Sequence, residues 1–424
     1  MRARRRRRSS RLIPLSVAPP TPGLASRRAA LRLLDGVLRK GLPLEAVLDS
    51  AARELDKPED RALAHAIAAE ALRRLPDLDA LIDRATSRRL PDDAKARFAL
   101  RIALVQALAL GTPPHAAIAT VLPLVDGGPR RLVHGVFGTV LRKGWTLPEV
   151  PTLPAPVVER WRQAWGDEVV AAAARLIAAP PPLDLTFADD SPPTGLEGAS
   201  LMPGHLRLPR GTAVAGLAGY GEGSSSGSGR WWVQDVSASI PARWLGAGEG
   251  RTALDLCAAP GGKTMQLAAA GWRVTAVDIS ESRLARLSDN LARTGLDAEI
   301  VAADVMAWQP PAAIDAILLD APCSATGIFR RHPEVLHRVR PRAVAALAEA
   351  QQAMLARAAG WLRPDGTLVY SVCSLEPEEG EAVAASFLEA HAGFRQEETR
   401  RILPGAWLDE GGADSFFIAR FVRG

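Results

Sequence analysis

From Trp231 to the end of the sequence, short apolar runs alternate with longer segments of helical periodicity, and no other feature limits the fold as much. Five apolar runs are candidate strands: Ala253–Cys257, Val274–Ile279, Glu299–Ala302, Ala316–Leu319 and Thr367–Val372. Candidate helices fit between them at 263–270, 281–294 and 342–362. Such alternation is typical of a doubly wound α/β domain, in which helices cover both faces of a parallel sheet. Two later runs, Arg401–Leu403 and Ser415–Val422, predict a hairpin at the edge of that sheet.

The first third of the chain shows helical periodicity almost throughout. In the segment Arg28–Arg39, for example, Ala29, Leu33 and Val37 recur on one face at intervals of four residues. Similar segments cover 42–55, 59–74, 77–89, 92–110, 115–125 and 129–143. The sequence therefore predicts a bundle of five to seven helices that carries no site motif of its own.

The middle of the chain has the weakest pattern. After a Pro-rich connector that starts at residue 146, a single helix is predicted over Val157–Ala179, and short strands are predicted at Leu183–Phe187 and Leu206–Leu208. The run Gly221–Gly229 is rich in Gly and Ser and predicts a solvent-exposed loop. We expect four parts: a disordered basic arm (1–24), a helical bundle (25–146), a small α+β connector (147–230) and the α/β domain (231–424).

The composition indicates a globular protein of two or three domains. Of the 424 residues, 47% are hydrophobic and 23% are charged, and no apolar run reaches the roughly 18 residues that a membrane span needs. Three cysteines in a chain of this length do not suggest a disulfide framework. We therefore expect a protein of the reducing cytoplasm without a membrane partner.

The net charge of +5 comes from a short N-terminal segment. Residues 1–11 contain seven arginines and no acidic residue, so residues 12–424 sum to −2. Arginine runs of this kind are usually solvated tails that can contact nucleic acid. The sequence leaves open whether this one does, and the high isoelectric point is no evidence of a basic protein body.

A turn of small residues follows the first predicted strand of the α/β region. Leu254–Thr264 contains Cys-Ala-Ala-Pro-Gly-Gly-Lys between a strand end and a helix start. Glycines allow a ligand to approach the backbone closely, and a helix N-terminus presents free N–H groups. Asp278, Asp304 and Asp320 come at the ends of the next three strands. Carboxylates at these ends suit a cationic or hydroxyl-rich nucleoside ligand.

The spacing of these residues does not match the common phosphate-binding fingerprints. The segment has no G-x-G-x-x-G, and a P-loop needs four residues between its first glycine and Gly-Lys. A dinucleotide-dependent oxidoreductase is therefore disfavoured. Taken alone, the turn could be a tight connection between strand and helix, but the three aspartates favour a ligand.

Cys323 and Cys373 stand after two predicted strands, where a partly exposed and ionised thiol can act as a nucleophile. Carbon 5 of a pyrimidine is a poor nucleophile, but addition of a thiolate to carbon 6 enables carbon 5 to attack a methyl sulfonium. Loss of the carbon 5 proton then expels the thiol. Two such cysteines beside a nucleoside site fit this chemistry, with one attacking and one assisting. Either cysteine alone could instead be a small buried apolar residue.

Three segments resemble the signature motifs of the NOL1/NOP2/Sun family of S-adenosylmethionine-dependent RNA cytosine-5 methyltransferases: residues 255–264, 320–334 and 369–379. The second contains Asp-Ala-Pro-Cys-Ser-Ala-Thr-Gly and then Arg-Arg-His-Pro. In the helical region, His115–Ile118, Leu132–Phe137 and Leu141–Lys143 resemble the NusB-like RNA-binding fold. The resemblance implies a multi-domain protein with an all-α NusB-like bundle, the α+β connector and a Rossmann-like class I methyltransferase domain.

The resemblance also implies roles for the motif residues. Cys373 is the expected nucleophile, Cys323 the thiol that assists product release, and Asp320 a residue shared between cofactor and target base. The expected cofactor is S-adenosylmethionine, held by Cys257, Ala258, Ala259, Pro260, Gly261, Gly262, Lys263, Asp278, Asp304 and Asp320. Lys263 could also face the base, and Cys257 is expected to pack within the loop. The expected partner is RNA, most specifically 16S (small-subunit) ribosomal RNA, with no metal and a monomeric protein.

Three departures from the family pattern concern substrate choice more than catalysis. Val372 replaces a threonine before the nucleophile, Glu334–His337 replaces a segment with a Lys-Trp pair, and Leu183–Phe187 lacks the usual Leu-Arg-x-Asn. Two alternatives stay open, namely a transfer RNA target and a non-catalytic RNA-binding factor in ribosome assembly. Both cysteines are retained, which argues against the second alternative because binding alone needs neither.

Overall fold

A computed structural model describes residues 22–189, 195–220 and 230–424. The predicted loop at 221–229 and residues 1–21 of the predicted arm lie outside these ranges. The described residues form a helical bundle, a connector with a small sheet, and an α/β domain, in the predicted order. In these ranges, no helix has both the length and the apolar character that crossing a membrane requires.

Residues 22–146, all of which are described, contain seven α-helices: α1 (Leu24–Leu38), α2 (Leu44–Ala51), α3 (Pro58–Arg73), α4 (Leu75–Arg84), α5 (Lys95–Leu108), α6 (Pro114–Val121) and α7 (Gly127–Arg142). Helix α5 lies at the centre, and its residues 96–106 are all buried because the helix is apolar on nearly every side. The buried exceptions are Gln106 and two arginines. Arg97 donates to both carboxylate oxygens of Asp83 (2.7 and 2.9 Å), and Arg101 donates to both oxygens of Asp79 (2.8 Å each). These ion pairs join α5 to α4.

The connector contains two helices where the sequence predicted one. Helices α8 (Ala155–Trp165) and α9 (Asp167–Ile177) meet at Gly166, whose φ of 86° interrupts the helical backbone. The prediction of a single helix over Val157–Ala179 was therefore wrong. An antiparallel sheet follows in the order β2-β1-β3, formed by β1 (Leu183–Phe187), β2 (His205–Leu208) and β3 (Trp231–Val233).

The α/β domain is built on a seven-stranded sheet with the order β6-β5-β4-β7-β8-β10-β9. Its strands are β4 (Thr252–Leu256), β5 (Arg273–Asp278), β6 (Glu299–Ala302), β7 (Ile314–Asp320), β8 (Leu362–Val372), β9 (Phe394–Ile402) and β10 (Phe416–Arg423). Strands β4 to β8 pair in parallel, whereas β10 is antiparallel to both of its neighbours. The helices are α10 (Ile240–Arg243), α11 (Gly262–Ala269), α12 (Glu281–Thr294), α13 (Val335–Arg338), α14 (Pro341–Ala359) and α15 (Glu381–Ala390).

The five parallel strands and the three helices predicted between them are confirmed to within a few residues. The predicted edge hairpin is also present, but β9 begins at Phe394, seven residues before the predicted start, and helix α15 was not predicted. Most of β9 is exposed and charged. Edge strands often carry such charges, which discourage pairing with other chains and also hide the apolar alternation of a strand.

The segment Arg330–Arg338 connects the α/β domain to the bundle. Arg73 Nη1 donates to the carbonyl oxygen of Arg330 (2.8 Å), and the backbone N–H of Leu44 donates to Glu334 Oε1 (3.2 Å). Burial lowers the pKa of His337 to about 4, so this ring is neutral at pH 7 and its Nε2–H can donate to the carbonyl oxygen of Leu72 (2.8 Å). Two residues that depart from the family pattern, Glu334 and His337, therefore connect the two domains.

Candidate active site

Parallel pairing brings the carboxyl ends of β4, β7 and β8 to one edge of the sheet. In the register of β7 and β8, Asp320 lies opposite Ser371, and a cysteine follows each of the three strands at positions 257, 323 and 373. Gly327 lies in the loop that carries Cys323, and a Cβ at this position would lie 2.1 Å from the carbonyl oxygen of Ser415. Glycine is thus required for the Cys323 loop to pack this closely.

Two of the three cysteines touch each other. The Sγ atoms of Cys323 and Cys373 are 3.5 Å apart, and both side chains are half-buried. The hydrogen bond between the thiols, and then burial, raise the pKa of Cys323 well above its usual range, and the negative charge of Glu379 adds to this effect. Cys323 therefore keeps its proton and can donate it towards the sulphur of Cys373.

Asp320 and Lys263 form an ion pair at the same edge. Lys263 Nζ donates to Asp320 Oδ2 and Ser371 Oγ donates to Asp320 Oδ1, both at 2.7 Å. Burial by itself would lower the pKa of Lys263, but the facing Asp320, with help from Asp255 and Cys373, raises it. The lysine is therefore a fixed positive charge near Cys373.

The turn 257–263 is held by residues on both sides of it. Cys257 adopts a left-handed backbone (φ 62°), and burial raises the pKa of its thiol to about 12, so this cysteine packs in the turn as expected and is not a reactive thiolate. Gly261 also has a positive φ (104°), and a Cβ there would lie 2.7 Å from Leu287 Cγ. The Asp278 carboxylate accepts from the backbone N–H of Ala259 (3.1 Å). The turn is therefore shaped before any ligand binds.

Beneath this turn lies Asp255, for which the sequence predicted no role. Its side chain is 0% exposed, and Oδ2 accepts from Thr264 Oγ1 (2.6 Å). Oδ1 has no hydrogen-bond partner among the described residues. Burial is the main reason that the pKa of Asp255 rises to about 7.

The residues around this turn fit a nucleoside cofactor with a cationic sulphur. A cavity of about 380 Å³ is lined by seven of the predicted residues, namely Cys257, Ala258, Ala259, Pro260, Gly262, Lys263 and Asp320. Asp304 is exposed after β6, and two large apolar side chains stand beside the strand-end carboxylates: Ile279 is 71% exposed and Met306 is 42% exposed. Apolar surface next to carboxylates suits a purine ring with its ribose. The described residues contain no group of three or more His, Cys, Asp or Glu side chains that could hold a metal ion.

The structure does not gather every predicted residue around this cavity. Gly261, Asp278, Asp304, Cys323 and Cys373 do not line it. Cys323 instead lines a second cavity of about 420 Å³, which Pro43 and Glu45 of the bundle help to form. The roles of the predicted site residues therefore stay predictions, while their placement at one edge of the sheet is observed.

Three residues near this edge of the sheet, Ile279, Met306 and Glu379, were not predicted from the sequence. Ile279 ends the predicted strand Val274–Ile279, and Met306 comes two residues after Asp304; an apolar residue this close to a strand-end carboxylate was a usable signal. Glu379, which bonds to both cysteine loops, lies among other glutamates in Glu376–Glu379 and had no signal of its own. Only contacts between distant segments identify it.

Comparison with known proteins assigns both main domains. Residues 242–422 match the family described as 16S rRNA methyltransferase RsmB/F, and residues 24–143 match the NusB family. Relatives called ribosomal RNA small subunit methyltransferase B include those of Klebsiella pneumoniae (34% identical, covering 94% of this chain and 98% of the relative) and Xylella fastidiosa (34%, covering 95% and 98%). A methyltransferase homologue from Pyrococcus horikoshii, 23% identical, shares the fold with a TM-score of 0.54 over 68% of this chain and 98% of that one. The chain therefore belongs to the 16S rRNA methyltransferase RsmB/F family.

Proposed function

We propose that the protein transfers a methyl group to carbon 5 of a cytosine in small-subunit ribosomal RNA through a covalent bond between the base and Cys373. The observation that carries this proposal is the contact of Cys323 and Cys373 at 3.5 Å, beside the Lys263–Asp320 ion pair. Methylation of a base nitrogen needs no thiol nucleophile, because the nitrogen lone pair can attack the methyl group directly. The names of the relatives, ribosomal RNA small subunit methyltransferase B, support ribosomal RNA as the substrate.

S-adenosylmethionine is the cofactor, as the sequence predicted, and when bound it supplies an electrophilic methyl group on a sulfonium. The turn 257–263 presents backbone groups to it, and the negative charge of Asp320 suits the positive sulphur. Asp278 and Asp304 are the candidate partners of the cofactor's ribose and adenine. Ile279 and Met306 would offer apolar surface to the adenine ring. Asp278 already accepts a hydrogen bond from the turn, so its contact with ribose would use a remaining lone pair.

Cys373 begins the reaction as a thiolate. Its Sγ forms a bond to carbon 6 of the cytosine, and the electron pair of the carbon 5–carbon 6 double bond moves so that carbon 5 can take the methyl group. The positive charge of Lys263 stabilises the thiolate and the developing charge in the ring. Asp320 orients Lys263 by their 2.7 Å contact.

Cys323 assists the release of the product. After transfer, water takes the proton from carbon 5, the electrons of that C–H bond re-form the ring double bond, and the bond between carbon 6 and Cys373 Sγ breaks with its electron pair on the sulphur. The thiol of Cys323 is 3.5 Å from that sulphur and can exchange a proton with it. The Cys323→Ala variant should therefore accumulate a covalent RNA–protein adduct, visible as a slow band on a denaturing gel. Adding Cys373→Ala to it should remove the band, and a band that persists in the double variant would refute Cys373 as the nucleophile.

The NusB-like bundle supplies a basic surface for RNA. Arg88 and Arg89, which precede α5, join Arg131 and Arg142 of α7 around an open cavity of about 850 Å³. Clustered guanidinium groups bind phosphates with little dependence on base sequence, so this surface would orient the RNA while the α/β domain selects the base.

Bisulfite sequencing of cellular RNA tests the proposed function. A strain that lacks the gene should lose one or more 5-methylcytosine marks in small-subunit ribosomal RNA, and the wild-type protein but not Cys373→Ala should restore them. Loss of a mark from transfer RNA alone would favour the transfer RNA alternative. Tight cofactor binding with no lost mark in any RNA would favour a non-catalytic role in ribosome assembly.

A further inference from the structure

One buried carboxylate joins the two cysteine loops. Glu379, which is 0% exposed, lies in the loop between β8 and α15. Its Oε1 accepts from the backbone N–H of Ser324 (2.8 Å), and its Oε2 accepts from Ser374 Oγ (2.5 Å) and from Ser324 Oγ. Ser324 directly follows Cys323, and Ser374 directly follows Cys373. The same carboxylate therefore bonds to the neighbour of each thiol.

We propose that Glu379 is a positioning residue for the reaction, whose carboxylate holds the Cys323 loop against the Cys373 loop and so keeps the two sulphur atoms in contact. The proposal deepens the proposed function and rests on it for its catalytic meaning. The geometric part concerns only the two loops and can be tested without RNA.

Glu379 is itself held rigidly from the other side. Gln351 Nε2 donates to Glu379 Oε1 (3.1 Å) and also to the carbonyl oxygen of Pro322, next to Cys323 (2.8 Å). The hydroxyl of Tyr370 donates to the backbone carbonyl oxygen of Glu379 (2.6 Å) and reaches Gln351 Oε1 (3.1 Å). A carboxylate with this many fixed partners can define the distance between two loops, because none of its bonds lengthens without loss of another.

The charge of Glu379 also separates the roles of the thiols. Burial raises the pKa of Glu379, while the hydrogen bonds from Ser324 and Ser374 oppose that rise and favour the carboxylate. Its negative charge is one of the causes that keep the Cys323 thiol protonated. Lys263, in contrast, is a positive charge on the Cys373 side, and Cys373 is one of the groups that raise the pKa of this lysine. Glu379 and Lys263 thus place opposite charges beside the paired thiols.

Oxidative cross-linking of the full-length protein tests the positioning role. Diamide takes two electrons and two protons from a pair of thiols to make a disulfide, and mass spectrometry of unreduced peptides gives the rate for Cys323–Cys373. We expect Glu379→Ala to slow this cross-link at least about tenfold and Glu379→Gln, which keeps the shape, to remain within about threefold of wild type. The matched control is Glu376→Gln, since Glu376 is also buried (2% exposed) but pairs with Arg160 and does not bond to Ser324. Cross-linking of Glu379→Ala at the wild-type rate would overturn the proposal.

A second measurement separates charge from shape. The pH at which Cys323 reacts half-maximally with iodoacetamide should be lower in Glu379→Gln, which removes the charge but keeps the shape. In Glu376→Gln this pH should not change. No shift in Glu379→Gln would overturn the charge role. Should Glu379→Ala fail to fold, Ser324→Ala and Ser374→Ala each remove one contact, and their double variant is expected to slow the cross-link as Glu379→Ala does. An unchanged cross-link in that folded double variant overturns the proposal equally.

The methylation assay then connects the geometry to catalysis. Glu379→Ala is expected to lower kcat at least about tenfold with little change in KM for RNA, and Glu379→Gln to recover most of it. Equal losses of kcat in Glu379→Ala and Glu376→Gln would show that Glu379 supports the structure in general and does not specifically position the thiols. Failure of the wild-type protein to methylate ribosomal RNA refutes the proposed function, whereas the cross-linking result is decided independently of it.

Discussion

The two halves of the sheet edge are built differently. The β7–β8 end is the fixed half, because buried hydrogen bonds within the protein hold the loops of Cys323 and Cys373 together. The β5–β6 end is the open half, where Asp304 is exposed and Ile279 is 71% exposed. Groups that form covalent bonds benefit from fixed geometry, because a small misplacement costs a large factor in rate. The open half suits a cofactor that must enter and leave in every turnover.

The largest effect should come from the fixed half. Cys373→Ala removes the proposed nucleophile, so we expect methyl transfer to 16S ribosomal RNA to fall at least about 1,000-fold. Transfer of labelled methyl groups measures the rate, and binding of S-adenosylhomocysteine by calorimetry, which should change less than about twofold, controls for folding. Full activity in this variant would show that Cys373 is not the nucleophile.

Asp255 lies on β4, between the two halves, and makes stability depend on pH. Its carboxyl ionises near pH 3.8 when the chain is unfolded and near pH 7 when it is folded, so the folded state holds an extra proton between these values. The contribution of Asp255 to the free energy of unfolding therefore falls as pH rises through this window, by roughly 4 kcal/mol at most. Asp255→Asn cannot ionise, so urea unfolding should show its stability relative to wild type increasing from pH 4 to pH 8. A difference that is constant with pH would mean that Asp255 ionises normally in the folded protein.

Packing of the fixed half is tested by Gly327→Ala. The added Cβ would meet the carbonyl oxygens of Ser415 (2.1 Å) and Cys373 (2.9 Å), so the loops must separate. We expect a loss of about 2 kcal/mol in the free energy of unfolding, by urea titration. Gly135→Ala in α7 is the matched control, because its Cβ would meet nothing within 4 Å and alanine should add up to about 1 kcal/mol to helix stability. Similar results for both variants would contradict tight packing at Gly327.

The open half should respond most weakly and only through ligand binding. Ile279→Ser removes exposed apolar surface beside Asp278, so cofactor affinity should fall about tenfold, or about 1.4 kcal/mol. The free energy of unfolding should hardly change because the side chain is already exposed. Val150→Ser, at another exposed apolar position (45%) in the connector, serves as the control. Unchanged affinity in Ile279→Ser would remove this residue from the cofactor site.

Local pattern was sufficient for much of the fold. Strand β6 was predicted at its observed bounds, and the other parallel strands were found because apolar runs of this kind fit buried strands and little else. The single helix over Val157–Ala179 was wrong because apolar periodicity continues across Gly166, while the backbone turns there. Most of β9 was missed because its charged residues give it no apolar alternation.

The sequence by itself determined the order of architectures, the family, and which residue types follow which strands. It could do so because strand and helix periodicity and short motifs are properties of neighbouring residues. Tertiary structure alone decided that Cys323 and Cys373 touch, and that Glu379 rather than Glu376 or Glu378 joins the two loops. These relations depend on the pairing of β4, β7 and β8 and on hydrogen bonds between segments about 50 residues apart, which no local pattern encodes.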